Sequence, residues 1–261
     1  MNTFILHSRD NRPYEIKLPS PKDGLRSSYL FAFAKSGSTL LDNMISTYCQ
    51  RIGVPCFSLF NQAFGQGIVT ADVGGDALVC FKPRGYVYTG FRHYPGFDLP
   101  LAGLTSVLLV RDPRDMLVSL YYSVAKSHVI PDGNKLLQER RKQALTDTID
   151  EFVIKRAQRY MKQYRIYKEK LPASAKVYRY EDVVFDKINW MDDLVRTLEL
   201  ELDRTIMKEV VEQFDIVPDV EDETRHIRQV LPGNHRKKLM PGTIVALDEC
   251  LHYFLKEYGY L

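Results

Sequence analysis

The sequence predicts an α/β fold, a central parallel β-sheet with helices on both faces. Three observations carry that reading. TSVLLV (105–110) is a continuous apolar run of strand length, as expected of a strand buried on both sides. Runs of this kind alternate with stretches of helical apolar spacing, the order that strand–helix–strand units require. With 261 residues, 45% of them apolar, the chain is long enough for one large α/β domain or two small ones, and we read it as a single domain over 1–261.

The elements follow in order. The opening MNTFILHSRDNRPYEIK (1–17) carries charges from position 9 onward, and its apolar run is too short for a signal peptide. No stretch approaches the length of a membrane span. Residues 28–34 read as a buried strand and 39–51 as a helix. VCFKPRGYVYTGFRHY (79–94), rich in β-branched and aromatic residues, reads as one or two strands. After TSVLLV, Pro113 opens a helix, because proline suits the first helical turn. From 146 to 170, Ile149, Val153, Ala157, Tyr160, Met161, Tyr164 and Tyr167 keep helical spacing. AKVYRY (175–180) is a further strand, two or three helices follow, and MPGTIVALDECLHYFLKEYG (240–259) closes the chain as a helix. Three segments read as irregular: 61–78, 128–145 and 215–240. Long loops in such a fold usually lie at the ligand end of the sheet.

Charge and cysteine content narrow the partners. A net charge of +3 without a long one-sign block argues against a nucleic-acid arm, though not against a local anion pocket. Cys49, Cys56, Cys80 and Cys250 show no metal spacing, and without a secretion signal they read as reduced, buried thiols of a cytoplasmic protein that has no membrane partner.

Three segments carry candidate chemistry. In YLFAFAKSGSTLLDNMI (29–45) a strand meets a glycine-containing turn that opens a helix. Backbone N–H groups at a helix start, with the helix dipole behind them, favour an anion. Gly37 permits close approach, Ser36, Ser38 and Thr39 add hydroxyls, and Lys35 adds a positive charge. The plainer reading is a Ser/Thr N-cap. It is not a Walker A loop, because Lys35 precedes the glycine and no earlier glycine stands between Leu25 and Ser36. In LLVRDPRDMLVSLYYS (108–123), Arg111 falls at the end of the central strand and Ser119 eight residues later in the helix. Arginine there can grip a phosphate with its fork of donors, or merely form surface pairs, Arg111 with Asp115 or Arg114 with Asp112. In HIRQVLPGNHRKKL (226–239), Arg228, Arg236, Lys237 and Lys238 flank a Pro-Gly turn, as an anion-binding loop or a solvated basic one.

Taken together and in this order, these segments resemble the sulfotransferases that use 3′-phosphoadenosine 5′-phosphosulfate (PAPS). AKSGSTLL (34–41) looks like the family's K-S-G-[ST]-T loop, which holds the 5′-phosphosulfate. RDPRDMLVS (111–119) is similar to the stretch whose Arg and Ser hold the 3′-phosphate, and PGNHR (232–236) to the late basic loop that closes over it. YED (180–182) has a counterpart whose tyrosine lies near the adenine. The resemblance implies a P-loop NTPase-like three-layer architecture. It also implies PAPS as co-substrate, adenosine 3′,5′-bisphosphate (PAP) as product, and no required metal. Lys35, Ser36, Gly37, Ser38, Thr39, Arg111, Ser119, Tyr180, Arg228, Arg236 and Lys237 would hold the nucleotide. Leu40 stands where many members have an adenine-stacking Trp, so another group would hold the base, for which Phe214 in EQFDIV is a candidate. Val230 and His235 replace a family glycine and tryptophan in the late loop.

The chemistry that the resemblance implies is in-line sulfuryl transfer to a hydroxyl or amine of a small molecule, with Lys35 stabilising charge on the leaving oxygen. GFRHYPG (90–96) keeps the H-x-P spacing of the family's catalytic base at His93 and Pro95, with Phe91 where a Lys usually stands. An imidazole suits that role; the alternatives are a packed histidine, or Arg92 pointing into the site. Phe57, Phe60, Phe64, Phe97, Tyr121 and Tyr122 would wall an acceptor pocket or belong to the core. Two rival readings are a P-loop kinase or NTPase, in which Asp112 after the apolar run mimics a Walker B strand, and a non-catalytic nucleotide-binding protein.

Overall fold

The structure, a computed structural model, describes residues 1–127, 135–218 and 229–261. Along them run β1 (Asn2–His7), β2 (Pro13–Leu18), β3 (Ser28–Ala32), α1 (Ser38–Arg51), β4 (Cys56–Phe57), α2 (Leu59–Gly65), β5 (Val87–Phe91) and β6 (Thr105–Val110). Then come α3 (Pro113–Tyr122), α4 (Lys135–Thr146), α5 (Ile149–Lys170), β7 (Lys176–Arg179), α6 (Tyr180–Val183), α7 (Lys187–Thr197), α8 (Arg204–Phe214), α9 (His235–Lys238), α10 (Pro241–Cys250) and α11 (His252–Glu257). These group into two compact units, Met1–Val110 with Ile166–Asp215, and Arg111–Arg165 with Ile216–Leu261.

The first unit holds a five-stranded sheet in the order β4-β5-β3-β6-β7, parallel throughout. Every residue of β3 is buried, as a central parallel strand requires. Its alternation sorts the core chemically. Leu30 and Ala32 join an aliphatic cluster with Leu41, Met44 and Ile45 of α1, Leu194 of α7 and Val210 of α8. Tyr29 and Phe31 face the other way into an aromatic layer, where Tyr29 stacks on Tyr88 at 4.8 Å and Phe31 meets Phe91 at 4.7 Å. Such offset and tilted ring pairs add to the burial term.

The β3–β5 register slips once. Tyr29 lies opposite Tyr88 and Phe31 opposite Phe91, so Thr89 and Gly90 together oppose Leu30. This bulge explains why Tyr88 and Phe91, three residues apart, share a face. Gly90 has φ +85°, and a side chain there would collide with Ser58 Oγ at the start of α2.

The expected strands in 79–94 reduce to β5, because Pro83 and Gly85 interrupt the run and residues 75–80 wind into a short 3₁₀ turn. Ahead of the sheet stands a hairpin that the sequence reading did not anticipate, β1 paired antiparallel with β2. The outer edge of β2 is met by two glutamines, Gln62 of α2 and Gln66 at its C-cap. Gln66 accepts from Glu15 N at 2.8 Å and donates to Glu15 O at 2.7 Å; Gln62 accepts from Lys17 N at 2.9 Å and donates to Lys17 O at 3.1 Å.

In the second unit, Asp112 caps α3 by accepting from Arg114 N at 2.9 Å, with Pro113 in the first turn. Thr148 and Glu151 form a reciprocal capping box that starts α5, whose residues 166–170 are counted in the first unit. Of the segment expected to be irregular, 128–145, residues 128–134 lie outside the described residues and 135–145 belong to α4; strong helix formers outweigh the polarity that made them read as a loop. The expected C-terminal helix is two, α10 and α11, broken at the buried Leu251 with no glycine or proline to mark the place. The four cysteines are free, Cys49 and Cys80 buried and the other two partly so. No helix among the described residues is long and apolar enough to cross a membrane.

Candidate active site

In the first unit the turn between β3 and α1 is built to present backbone. Lys35 has φ +73°, in the left-handed region that a side chain normally avoids at a cost of about 1–2 kcal/mol. Such strain concentrates at functional sites. Gly37, also left-handed at φ +93°, is the N-cap of α1, so the cap position offers no side-chain hydrogen bond. The expected plain Ser/Thr N-cap is therefore absent, and the first amides of α1 keep the capacity to meet an anion.

The turn's serines divide. Ser36 is fully buried and its hydroxyl donates to Phe33 O at 2.8 Å and Leu109 O at 3.1 Å, so its side chain braces the turn against β6 instead of facing outward. Ser38 and Thr39 open the helix itself. Gly37 has a second reason to be glycine: a Cβ would stand 2.7 Å from Tyr180 Cδ2. Tyr180, buried at the start of α6, thus lies with its ring against the turn. Phe214, expected as an adenine contact, sits at the end of α8 and packs against the aliphatic cluster.

His93 is half-buried and lies two residues past the end of β5, the strand beside β3. Because the strands are parallel, the same sheet edge carries the Lys35 turn. Arg92 does not point into the site as an open cation: Nη2 pairs with Asp42 Oδ2 at 3.1 Å and Nη1 donates to Asn61 Oδ1 at 3.1 Å. Asp42 Oδ1 accepts from Thr89 Oγ1 and, at 3.1 Å, from Gly90 N. Burial pushes the Asp42 carboxyl above the usual carboxylate value, against the opposing pull of Arg92, Thr89 and Gly90. Of the proposed aromatic wall, Phe57 and Phe60 are core residues, whereas Phe64 is exposed.

In the second unit, Arg111, Asp115 and Ser119 recur at four-residue intervals on and just before α3, so they share one helical stripe. Arg111 and Asp115 do form the expected pair, Nη2 to Oδ2 at 3.8 Å, but it is buried and not a surface pair. Arg114 is buried as well. It donates to both Asp112 oxygens, to Asp248 Oδ1 at 2.7 Å and to Tyr260 O at 3.1 Å, which ties α3 to the C-terminal segment.

The sequence reading gave Asp115 only as a surface partner of Arg111, yet it also holds Gly233 and His235 of the late loop. Its side chain is fully buried and accepts from Gly233 N at 2.6 Å, His235 N at 2.8 Å and His235 Nδ1 at 2.7 Å. His235 is itself buried, and Nε2 has no hydrogen-bond partner among the described residues. The adjacent Arg236 and Lys237 are exposed, and Lys238 lies over the Tyr122 ring at 5.4 Å. Arg228 lies outside the described residues. Among the described residues no group of three or more His, Cys, Asp and Glu side chains gathers as for a metal.

The turn leaves a helix start able to accept an anion. The sulfotransferase domain model matches residues 104–257, more than half of the chain. No curated protein sequence matches it. Among solved structures it is similar to mouse sulfotransferase SULT7A1 complexed with PAP, at 12% identity over 90% of this chain and 88% of that one, with a TM-score of 0.60. It is also similar to retinol dehydratase in complex with retinol and PAP (14% identity, 92% and 83% covered, TM-score 0.51) and to the same enzyme with androsterone and PAP (12%, 88% and 80%, 0.52). At such identities the likeness is one of fold, and it bears out the P-loop-like α/β architecture. The chain belongs to the sulfotransferase family.

Proposed function

We propose that this sulfotransferase takes its sulfuryl group from PAPS and delivers it to a hydroxyl or amine of a small-molecule acceptor. The observation that carries the reading is the turn at 35–39: a left-handed lysine, a left-handed glycine with a ring against it, and a helix start whose N-cap is that glycine. That combination suits close approach of a phosphate to backbone. One family model running from 104 to 257, through segments of both compact units, supports reading 1–261 as a single sulfotransferase domain.

PAPS supplies a sulfuryl group carried on a good phosphate leaving group. Lys35, with the first amides of α1 and the hydroxyls of Ser38 and Thr39, holds the 5′ end and neutralises charge as it grows on the leaving oxygen. Ser36 and Gly37 shape the turn that does this, and Tyr180 borders it. By motif, Arg111 and Ser119 take the 3′-phosphate, with Arg228, Arg236 and Lys237 of the late loop. Phe214 remains the candidate for the adenine. His93, at the sheet edge shared with Lys35, accepts the proton that the acceptor O–H or N–H gives up. The ligands named with the retinol dehydratase structures, retinol and androsterone, are small apolar alcohols, which favours a hydroxyl acceptor of that kind. Free thiols favour a reducing, cytoplasmic setting.

Calorimetry with PAP, AMP and ATP tests the nucleotide: PAP is expected to bind at least tenfold more tightly than the others, and equal or better ATP binding would overturn the assignment. A panel of phenols, alcohols and amines incubated with PAPS, followed by mass spectrometry for PAP and sulfated product, tests the reaction and identifies the acceptor.

A further inference from the structure

We infer that Asp42, acting through Arg92 and the bulge at Thr89–Gly90, is a positioning residue that fixes His93 at the sheet edge. The inference rests on His93 as the base, and deepens that assignment.

A one-residue slip in a strand exchanges the faces of everything after it. The β5 bulge is such a slip, placed at the last turn of the strand before His93. Ahead of it Tyr88 lies in the aromatic layer; after it Phe91 lies there too, against Phe31 at 4.7 Å and Phe60 at 5.3 Å. Arg92 is thereby turned toward α1. Without the bulge Phe91 and Arg92 would exchange faces, and His93 would leave the strand in the opposite phase.

A bulge frees polar groups from the ladder and persists only where something else binds them. Here one carboxylate does so. Asp42 Oδ1 accepts both the Thr89 hydroxyl and the Gly90 N–H, the two residues of the bulge, and Oδ2 pairs with Arg92, the residue immediately before His93. Arg92 is anchored on its other side by Asn61 of α2, and Ser58, which accepts from Asn61 N, packs where Gly90 has no side chain. The carboxylate belongs to α1, seven residues after Lys35 in the chain, so the helix that opens at the phosphate turn also sets the strand end that carries the base. Asp42 is nearly inaccessible, which suits a brace and not a proton-transfer group.

The test uses the full-length protein with PAPS and 4-nitrophenol, or the panel member that turns over faster. His93→Ala is expected to lower kcat about 10²-fold. Asp42→Ala and Arg92→Gln are expected to lower kcat about tenfold or more, with KM for PAPS and the Kd for PAP within about threefold of wild type. Arg92→Lys should recover part of the Arg92→Gln loss. The double variant Asp42→Ala/His93→Ala should be no slower than His93→Ala alone, since both remove the same base. Amide exchange over 89–94 should speed up in Asp42→Asn while that over 38–41 is unchanged. If Asp42→Ala does not fold, Asp42→Asn and Arg92→Gln carry the same cycle.

If His93→Ala is slow but Asp42→Ala and Arg92→Gln keep wild-type kcat, the positioning role is wrong and the base assignment stands. Additive losses in the double variant, or a PAP Kd that weakens in step with kcat, likewise overturn it. Near-normal turnover in His93→Ala removes the base assignment, and this inference with it.

Discussion

Asp115 Oδ1 lies 2.7 Å from His235 Nδ1 and accepts the backbone N–H of the same residue at 2.8 Å. The other oxygen takes Gly233 N at 2.6 Å and faces Arg111 at 3.8 Å. One buried carboxylate in the first turn of α3 therefore holds both the arginine that ends the central-strand motif and the Pro-Gly-Asn-His turn found more than a hundred residues later. Gly233 and His235 are thus held in place by a buried side chain, which would lower the ordering cost if this turn closes on a phosphate as proposed.

Asp115 should leave a signature in acid. Burial alone would raise its carboxyl, but the His235 hydrogen bonds and the Arg111 charge outweigh this and hold it below the ordinary 3.8. A carboxyl depressed in the folded state contributes stability that is fully present above its unfolded value and is lost as pH falls through the folded one. Urea unfolding at pH 7, 4 and 3 is expected to show a wild-type decline below about pH 4 that is shallower in Asp115→Asn, since Asp10, Glu151, Asp192 and Asp193 are depressed too and remain in both proteins. At pH 7 that variant should be less stable by about 1–3 kcal/mol. Parallel acid limbs in the two proteins would assign the decline to other groups.

Gly37→Ala combines a left-handed backbone with a Cβ 2.7 Å from the Tyr180 ring. It should lower stability by about 2 kcal/mol and weaken PAP at least tenfold. Adding Tyr180→Ser removes the collision but not the backbone strain, so stability should return only in part. Thermal melts and calorimetry on the two variants distinguish these contributions.

Lys35 lets strain and charge be separated. Lys35→Gly relieves the φ of +73°, whereas Lys35→Ala retains it, and both remove the ammonium. The glycine variant should be the more stable of the pair by about 1 kcal/mol, while both lose PAP affinity by tenfold or more. Equal stabilities would mean that the turn relaxes without a lysine.

Arg114 binds two carboxylates and a C-terminal carbonyl from a buried position. Arg114→Ala should cost about 3–5 kcal/mol in urea unfolding, because it leaves Asp112 and Asp248 without their shared cation. Arg114→Lys should recover less than half, since a single ammonium cannot reproduce the fork.

Much of this was legible from residue order. TSVLLV announced β6, Pro113 the start of α3, and the apolar spacing of 149–167 located α5, because burial on a regular period leaves a mark on composition. The Lys35–Thr39 stretch was legible as a strand-to-helix turn around a glycine, though its left-handed lysine was not: φ has no letter in the alphabet when the residue is not glycine. Asp42 and Asp115 were hidden for another reason. Each works through partners between 47 and 120 residues away, and a lone aspartate inside an apolar helix reads the same whether it faces water or a buried loop. The β5 bulge was illegible because Thr89-Gly90 also reads as ordinary strand. Helix α4 was misread because an exposed, highly charged helix and a polar loop share a composition.

Gln62 of α2 and Gln66 at its C-cap have a consequence beyond packing. Four residues along a helix advance about 6 Å, and two along a strand nearly 7 Å. Gln62 and Gln66 can therefore stand opposite Lys17 and Glu15 and offer each both a donor and an acceptor, as a neighbouring strand would. The rim of the hairpin is closed by side chains in place of backbone. A second molecule that approaches the β2 edge finds Glu15 and Lys17 already paired, so this edge is protected from the self-templating to which a bare strand edge is prone.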